Sequence, residues 1–185
     1  MGARRGDTRQ RIQQVALELF AERGYEKTSL REVAERLEIT RPALYYHFKA
    51  KEDILNGIVG DLNSSIDELA EWADAQPPTD EARRAILDRI ASLLDDQWRP
   101  LIRFAQVNQA VMSEFPAGEE MRHRMMRIVS VLARPGDPPV RQFEARLAVI
   151  ALILGNAPAL LGLDLSDEER AQAAMTVAVR LALGG

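Results

Sequence analysis

An all-α fold is what this sequence predicts, on three observations. Apolar residues recur at three- and four-residue spacing in one segment after another, the period of helices that bury one face. Turn-forming residues separate those segments, at Gly24-Tyr25, Gln76-Pro77-Pro78, Pro116-Ala117-Gly118 and Arg134-Pro135-Gly136-Asp137-Pro138-Pro139. Side chains suited to capping stand where the periodic segments open, at Ser29, Thr40, Thr79 and Ser166. The expectation is about nine helices: an N-terminal three-helix head over residues 1–52, then a long helix leading into a helical body over residues 53–185.

The 185 residues are 46% hydrophobic and 28% charged, enough apolar material for a real core. There is no cysteine, which excludes disulfides, thiolate nucleophiles and Cys-ligated zinc; the two histidines, His47 and His123, are far apart. Neither a metal nor a cofactor is implied. No G-x-S-x-G, glycine-rich phosphate loop or H-E-x-x-H is present, and carboxylate pairs such as Asp95-Asp96 and Glu119-Glu120 sit at helix ends or turns, so an enzyme is not expected. The chain begins MGARRGDTRQ, basic and without an apolar secretory core, which points to the cytoplasm. Net charge is −4, but residues 1–51 carry +4 and the remainder −8. The positive charge lies in the head.

Ile12, Val15, Ala16, Leu19 and Phe20 form the stripe of a first helix, with Asp7 and Gln10 as its expected cap and Gly24 as its stop. Arg4, Arg5 and Arg9 form a basic arm of the kind that sometimes reaches a minor groove. Ser29-Leu30-Arg31-Glu32 fits a capping box, and Leu30, Val33, Ala34 and Leu37 make one face of a short second helix. Thr40 then caps a third, with Pro42 in its first turn and Leu44 and Phe48 inward. Arg41, Ala43, Tyr45, Tyr46 and His47 face outward. Ile39 to Lys51 contains three bases and no acid, which suits a polyphosphate partner. Two short helices about a tight turn, the second rich in hydrogen-bonding side chains, is the pattern of a helix-turn-helix unit.

The residues Ile12, Ala16, Phe20, Gly24-Tyr25, Thr28-Ser29 and Val33-Ala34, the run T-R-P-A-L-Y-Y-H-F and Lys51-Glu52 resemble the DNA-binding region of the tetracycline-repressor (TetR) family. The resemblance covers residues 8 to 56; beyond them it extends only to length and helical character. It implies that Thr40, Arg41, Pro42, Ala43 and Tyr46 face base edges, Arg41 being able to bridge guanine O6 and N7. It also implies that Thr28, Ser29, Tyr45, His47 and Lys51 hold the phosphate backbone.

The long helix after Lys51 carries Leu55, Ile58, Val59, Leu62, Ile66, Leu69 and Ala73, and ends at Pro77-Pro78, roughly 30 Å from its start at the usual rise. A tilt of this helix would move the head. Further helices are expected from Thr79, from Leu101 to Phe115 after a break or restart at Pro100, and from Glu119 to Ala133. Leu147 to Leu163 runs 17 residues without a charge, short of a membrane span and interrupted at Gly155-Asn156-Ala157-Pro158. The final helix, capped at Ser166, is rich in small residues. These last two helices are expected to pair with a second copy as a four-helix bundle.

The resemblance further implies an effector pocket among the middle helices, for which Trp72, Phe104, Asn108, Met112, Phe115, Met125 and Asn156, with Gln106 and Met126, are the candidate linings. The side chains available suggest a small, largely apolar effector. The expected function is a homodimeric, ligand-responsive transcriptional regulator, most simply a repressor released from a palindromic double-stranded DNA operator by its effector. The alternative is a helical protein-interaction module; salt-sensitive DNA binding separates the two.

Overall fold

A computed structural model describes residues 3–108, 118–134, 136–157 and 162–184. Among them the chain forms nine α-helices, one π-helical turn and no strand. The helices are α1 (Ala3–Arg23), α2 (Leu30–Arg36), α3 (Arg41–His47), α4 (Lys51–Asp74), α5 (Asp80–Leu93), α6 (Arg99–Val107), α7 (Gly118–Ser130), α8 (Pro139–Gly155) and α9 (Asp167–Leu183), with the π-turn at Leu94–Trp98. They form two compact units. One comprises Met1–Leu62 with Pro100–Pro116, the other Asn63–Arg99 with Ala117–Gly185.

The first unit is built on α1. Ile12, Ala16, Leu19 and Phe20 are buried along one face, as their spacing requires. The helix starts at Ala3, so Asp7 and Gln10 lie inside it and do not cap it. Alanine and arginine are strong helix formers, and they carry the helix upstream of that point. Gly24, at φ +89°, ends α1 in the left-handed conformation that glycine adopts without strain, its amide returning to the Phe20 carbonyl at 3.1 Å. Ile54 and Leu55 of α4 enter the same core, as does Phe104 of α6, whose ring lies against Phe20 and Tyr25 at 5.9 and 6.3 Å between centroids. Each such fully buried side chain is worth about 1.5–3 kcal/mol. The compact head therefore departs from the expected 1–52 boundary. It takes in three turns of α4, where Gln13 bonds Asp61 at 2.8 Å, and a distant segment of chain.

The second unit buries Ile66 and Leu69 of α4, Ile86, Leu87 and Ile90 of α5, and Ile128 and Val129 of α7. At Pro100, where a break or restart is expected, α6 opens at Arg99 straight after a π-turn in which the Arg99 amide reaches the Leu94 carbonyl. Proline has no amide hydrogen to give the preceding turn, and the wider turn carries the chain past it. α8 and α9 pack along their length. A Cβ at Gly155 would meet the Ala174 Cβ at 2.4 Å, so glycine there sets how closely the two helices approach. Arg170 on α9 is buried, donating to the Gly155 and Leu165 carbonyls at 3.3 and 2.8 Å and to Asp167. Val140 and Phe143 on α8 are 68% and 65% exposed, and Val177 on α9 is 44% exposed. Among the described residues no helix is long and apolar enough to cross a membrane.

Candidate nucleic-acid interface

The interface is two seven-residue helices about one turn. The α2 capping box is complete: the Ser29 hydroxyl accepts from the Glu32 amide at 3.3 Å while the Ser29 amide donates to the Glu32 carboxylate at 2.8 Å. The Ser29 bonds, reinforced by Arg23 at 3.0 Å, hold the Glu32 carboxyl below the usual carboxylate range. α2 ends in a Schellman motif, with the Glu38 amide on the Glu35 carbonyl and the Ile39 amide on the Ala34 carbonyl, each at 3.1 Å. Glu38 occupies the left-handed position at φ +55°. Thr40 then caps α3, accepting from the Ala43 amide at 3.4 Å, with Pro42 in the first turn where no amide is missed.

Leu44 and Phe48 anchor α3 to the core. That fixes its outer face: Thr40, Arg41, Pro42 and Ala43 are exposed, with Tyr46 at 64% and Tyr45 at 43% exposure. All five positions expected to read bases thus lie together on open surface. His47 is half-buried, edge-on to Tyr46 at 5.3 Å. The Asp53 carboxylate closes the following turn by accepting from the Lys49 and Ala50 amides at 2.9 and 3.0 Å.

Of the expected phosphate contacts, Ser29 and Tyr45 are exposed, whereas Thr28 is a correction. It is buried, its hydroxyl donating to the Gly24 and Leu19 carbonyls at 3.0 and 3.3 Å, so it secures the turn after α1 and has no surface for a phosphate. Lys51 is half-buried, its ammonium on the Tyr25 carbonyl at 2.7 Å and 4.4 Å from the centre of the Tyr25 ring. Its first commitment is to the fold; two hydrogens of the ammonium remain. Burial, and then the hydrogen bond to Glu52, push the Tyr25 phenol up. Arg9 of the expected arm lies over the Phe48 ring at 4.5 Å. The side chains of Arg4 and Arg5 lie outside the described residues. Lys27, just before the start of α2, is exposed as well.

Residues 12–58 match the family model described as "Bacterial regulatory proteins, tetR family". A structure of a TetR/AcrR-family transcriptional regulator from Thermobifida fusca superimposes with a TM-score of 0.55, at 28% identity over 96% of this chain and 98% of that one. By the family-model match, residues 12–58 belong to the TetR family. A gamma-butyrolactone receptor structure is similar at TM-score 0.52 and 26% identity, covering 97% of this chain and 99% of that one. The HTH-type transcriptional regulator AcrR of Shigella flexneri is 36% identical over 99 residues, 52% of this chain and 46% of its own length. This match, like others to curated relatives, spans less than half the relative's length. The TetR family is one of regulatory proteins, not of enzymes.

The expected pocket linings separate. Phe104 and Asn108 are corrections: both belong to the buried head. The Asn108 amide accepts from the Tyr25 amide at 2.8 Å and donates to the Phe20 and Phe104 carbonyls at 3.2 and 3.0 Å. Two of these bonds fasten the end of α1, the third closes on the end of α6, and together they engage every polar atom of the side chain. Trp72 is half-buried beneath the Arg89 guanidinium, 4.7 Å from its ring centre, and Met125 is half-buried and Met126 exposed on α7. Met112 and Phe115, and the side chain of Gln106, lie outside the described residues. Asn156 alone of the candidates described lines a cleft of about 530 Å³ in the second unit, between α5 with its π-turn and the α8–α9 pair. Asp95, Arg99, Asp167 and Glu168 share that lining, and of these the sequence reading took Asp95 for solvated charge at a helix end or turn. No sequence period marks a π-turn, which is what brings the first two there.

Proposed function

We propose that this chain is a ligand-responsive transcriptional regulator, a cytoplasmic homodimer that represses by occupying an inverted-repeat operator. The observation that carries the reading is the outer face of α3: Thr40, Arg41, Pro42, Ala43 and Tyr46 exposed together, within a segment from Ile39 to Lys51 that contains no acid. Arg41 reads a guanine edge, and Pro42 and Ala43 offer apolar contact to a thymine methyl. Ser29, Tyr45, His47 and Lys51 supply phosphate contacts that set register. So few readers give one head little specificity, so two heads on half-sites one helical turn apart are needed. The apolar residues left open on α8 and α9 support a second copy pairing there. Effector binding in the body shifts the population away from the form that fits the operator, and the release equals the effector's differential affinity for the two forms.

The experiment is selection of binding sites from random DNA by the purified full chain. Enrichment of an inverted repeat whose half-sites lie about 10 base pairs apart is expected. Recovery of no sequence above background would contradict the proposal.

A further inference from the structure

We infer that Asn108, at the end of α6, is a positioning residue for the DNA backbone contact at Lys51, acting through Tyr25. That role rests on the regulator reading, of which it refines one phosphate contact.

The chain of contacts begins where α1 stops. Gly24 turns out of the helix at φ +89°, so the amide of the next residue, Tyr25, leaves the helical ladder and needs another acceptor. Asn108 supplies it at 2.8 Å, from 83 residues away in sequence. The other end of the same side chain donates to the Phe20 and Phe104 carbonyls at 3.2 and 3.0 Å. Asn108 therefore cannot swing away from Tyr25 without giving up both. α6 also holds the Tyr25 ring, through Phe104 at 6.3 Å between centroids, and Phe20 of α1 meets that ring edge-on at 4.9 Å.

Both handholds of Lys51 belong to Tyr25. The Lys51 ammonium lies 2.7 Å from the Tyr25 carbonyl and 4.4 Å from the centre of its ring. The same carbonyl accepts from the Thr28 amide at 3.2 Å, which closes the turn around it. One ammonium hydrogen is thus committed, and two are left for a phosphate. A lysine stem free in solvent gives up its rotamers when it grips a partner, and ordering such a side chain lowers affinity by a factor of about two to ten. Here Tyr25 orders the stem beforehand. A phosphate contact carries no base information, so losing that order weakens every sequence alike.

The test is a double-mutant cycle on the full chain: parent, Asn108→Ala, Lys51→Met and the two together. Each is titrated by fluorescence anisotropy on the selected site and on a scrambled duplex, at a salt concentration where both bind. Lys51→Met keeps an unbranched stem over the ring and removes the charge. Asn108→Ala is expected to weaken both duplexes by the same factor, about two to ten, and to cost nothing further once Lys51 is replaced. A purely structural Asn108 would act without regard to Lys51. An equal loss with and without the ammonium, no loss at all, or a loss confined to the selected site would each overturn the inference.

A second readout needs no DNA. The chain has three lysines, at 27, 49 and 51, so a lysine-selective NMR spectrum holds three sets of ε-methylene signals. That of Lys51 is expected upfield of the others, shielded by the Tyr25 ring, and Asn108→Ala is expected to move it toward them. An unmoved signal would show that Asn108 does not position Lys51. Should Asn108→Ala not fold, Phe104→Leu, which removes the other α6 contact on Tyr25, takes its place in both measurements. Selective binding by the parent without coupling between Asn108 and Lys51 refutes this inference alone. No selective binding by the parent refutes the regulator reading, and the role given to Lys51 falls with it.

Discussion

Asn108 reaches across 83 residues of sequence to accept the Tyr25 amide and, with its other end, holds the Phe20 carbonyl of α1. Replacing it with alanine leaves that amide buried and unpaired, a loss of about 1–3 kcal/mol. Urea denaturation of Asn108→Ala is expected to show a lower midpoint at unchanged slope; an unaltered midpoint would show that the three bonds contribute nothing net. Arg41 is the opposite kind of residue, exposed and without a structural task. Arg41→Ala is expected to leave the melt unchanged, to weaken operator binding by about 1–3 kcal/mol and to relax preference at one base position per half-site, read by competition with single-base variants. Uniform weakening on every sequence would place Arg41 on phosphate. Arg41 was legible from the sequence because its neighbours at Thr40, Leu44 and Phe48 fix which way it faces. Asn108 and Thr28 were not, since each bonds to backbone that only the folded chain brings near.

Local signals served the elements well. The capping boxes at Ser29 and Ser166 and the cap at Thr79 are bonds between residues three apart, and all three form where the spacing requires. Ser29→Ala is expected to cost about 0.5–2 kcal/mol. The box is also acid-sensitive. Glu32 has a folded pKa below its ordinary 4.5, so its stabilising effect is complete above that value and is lost as pH falls through the lowered one. The stability gap between parent and Ser29→Ala, measured by denaturation across an acid series, should therefore be full at neutral pH and narrow in acid. A gap that widened in acid would contradict the assignment. The turn between α2 and α3 stores a cost of its own, because Glu38 holds φ +55°. Glycine takes that conformation freely but loses more entropy on folding, so Glu38→Gly is expected to stabilise by up to about 1 kcal/mol. A fall in melting temperature would show that the Glu38 side chain contributes more than its backbone costs. The π-turn and the early start of α1 were not legible: the first preserves the apolar faces on either side, and the second depends on the propensity of a stretch with no apolar stripe.

For the whole molecule, the sequence made the all-helical class and the reading head plain, because both are written in short-range period and charge. The partition was not plain. Phe104 and Asn108 read as middle-helix residues, yet they complete the head, and the long-range burial that decides this leaves no local pattern. The compact unit that holds the head extends beyond the first 52 residues, and the acid-free segment from Ile39 to Lys51 stands on a core that draws on Phe104. The central claim is that this surface binds DNA in a sequence-selective, electrostatically driven way. The direct measurement is fluorescence anisotropy of the full chain on its selected site and on a scrambled duplex, over a series of salt concentrations. The account predicts selective binding whose logarithmic salt slope reflects several displaced counterions, with Lys51→Ala lowering that slope by about 1 if Lys51 spends its free hydrogens on phosphate. Weak binding to both duplexes, or selective binding indifferent to salt, would contradict it.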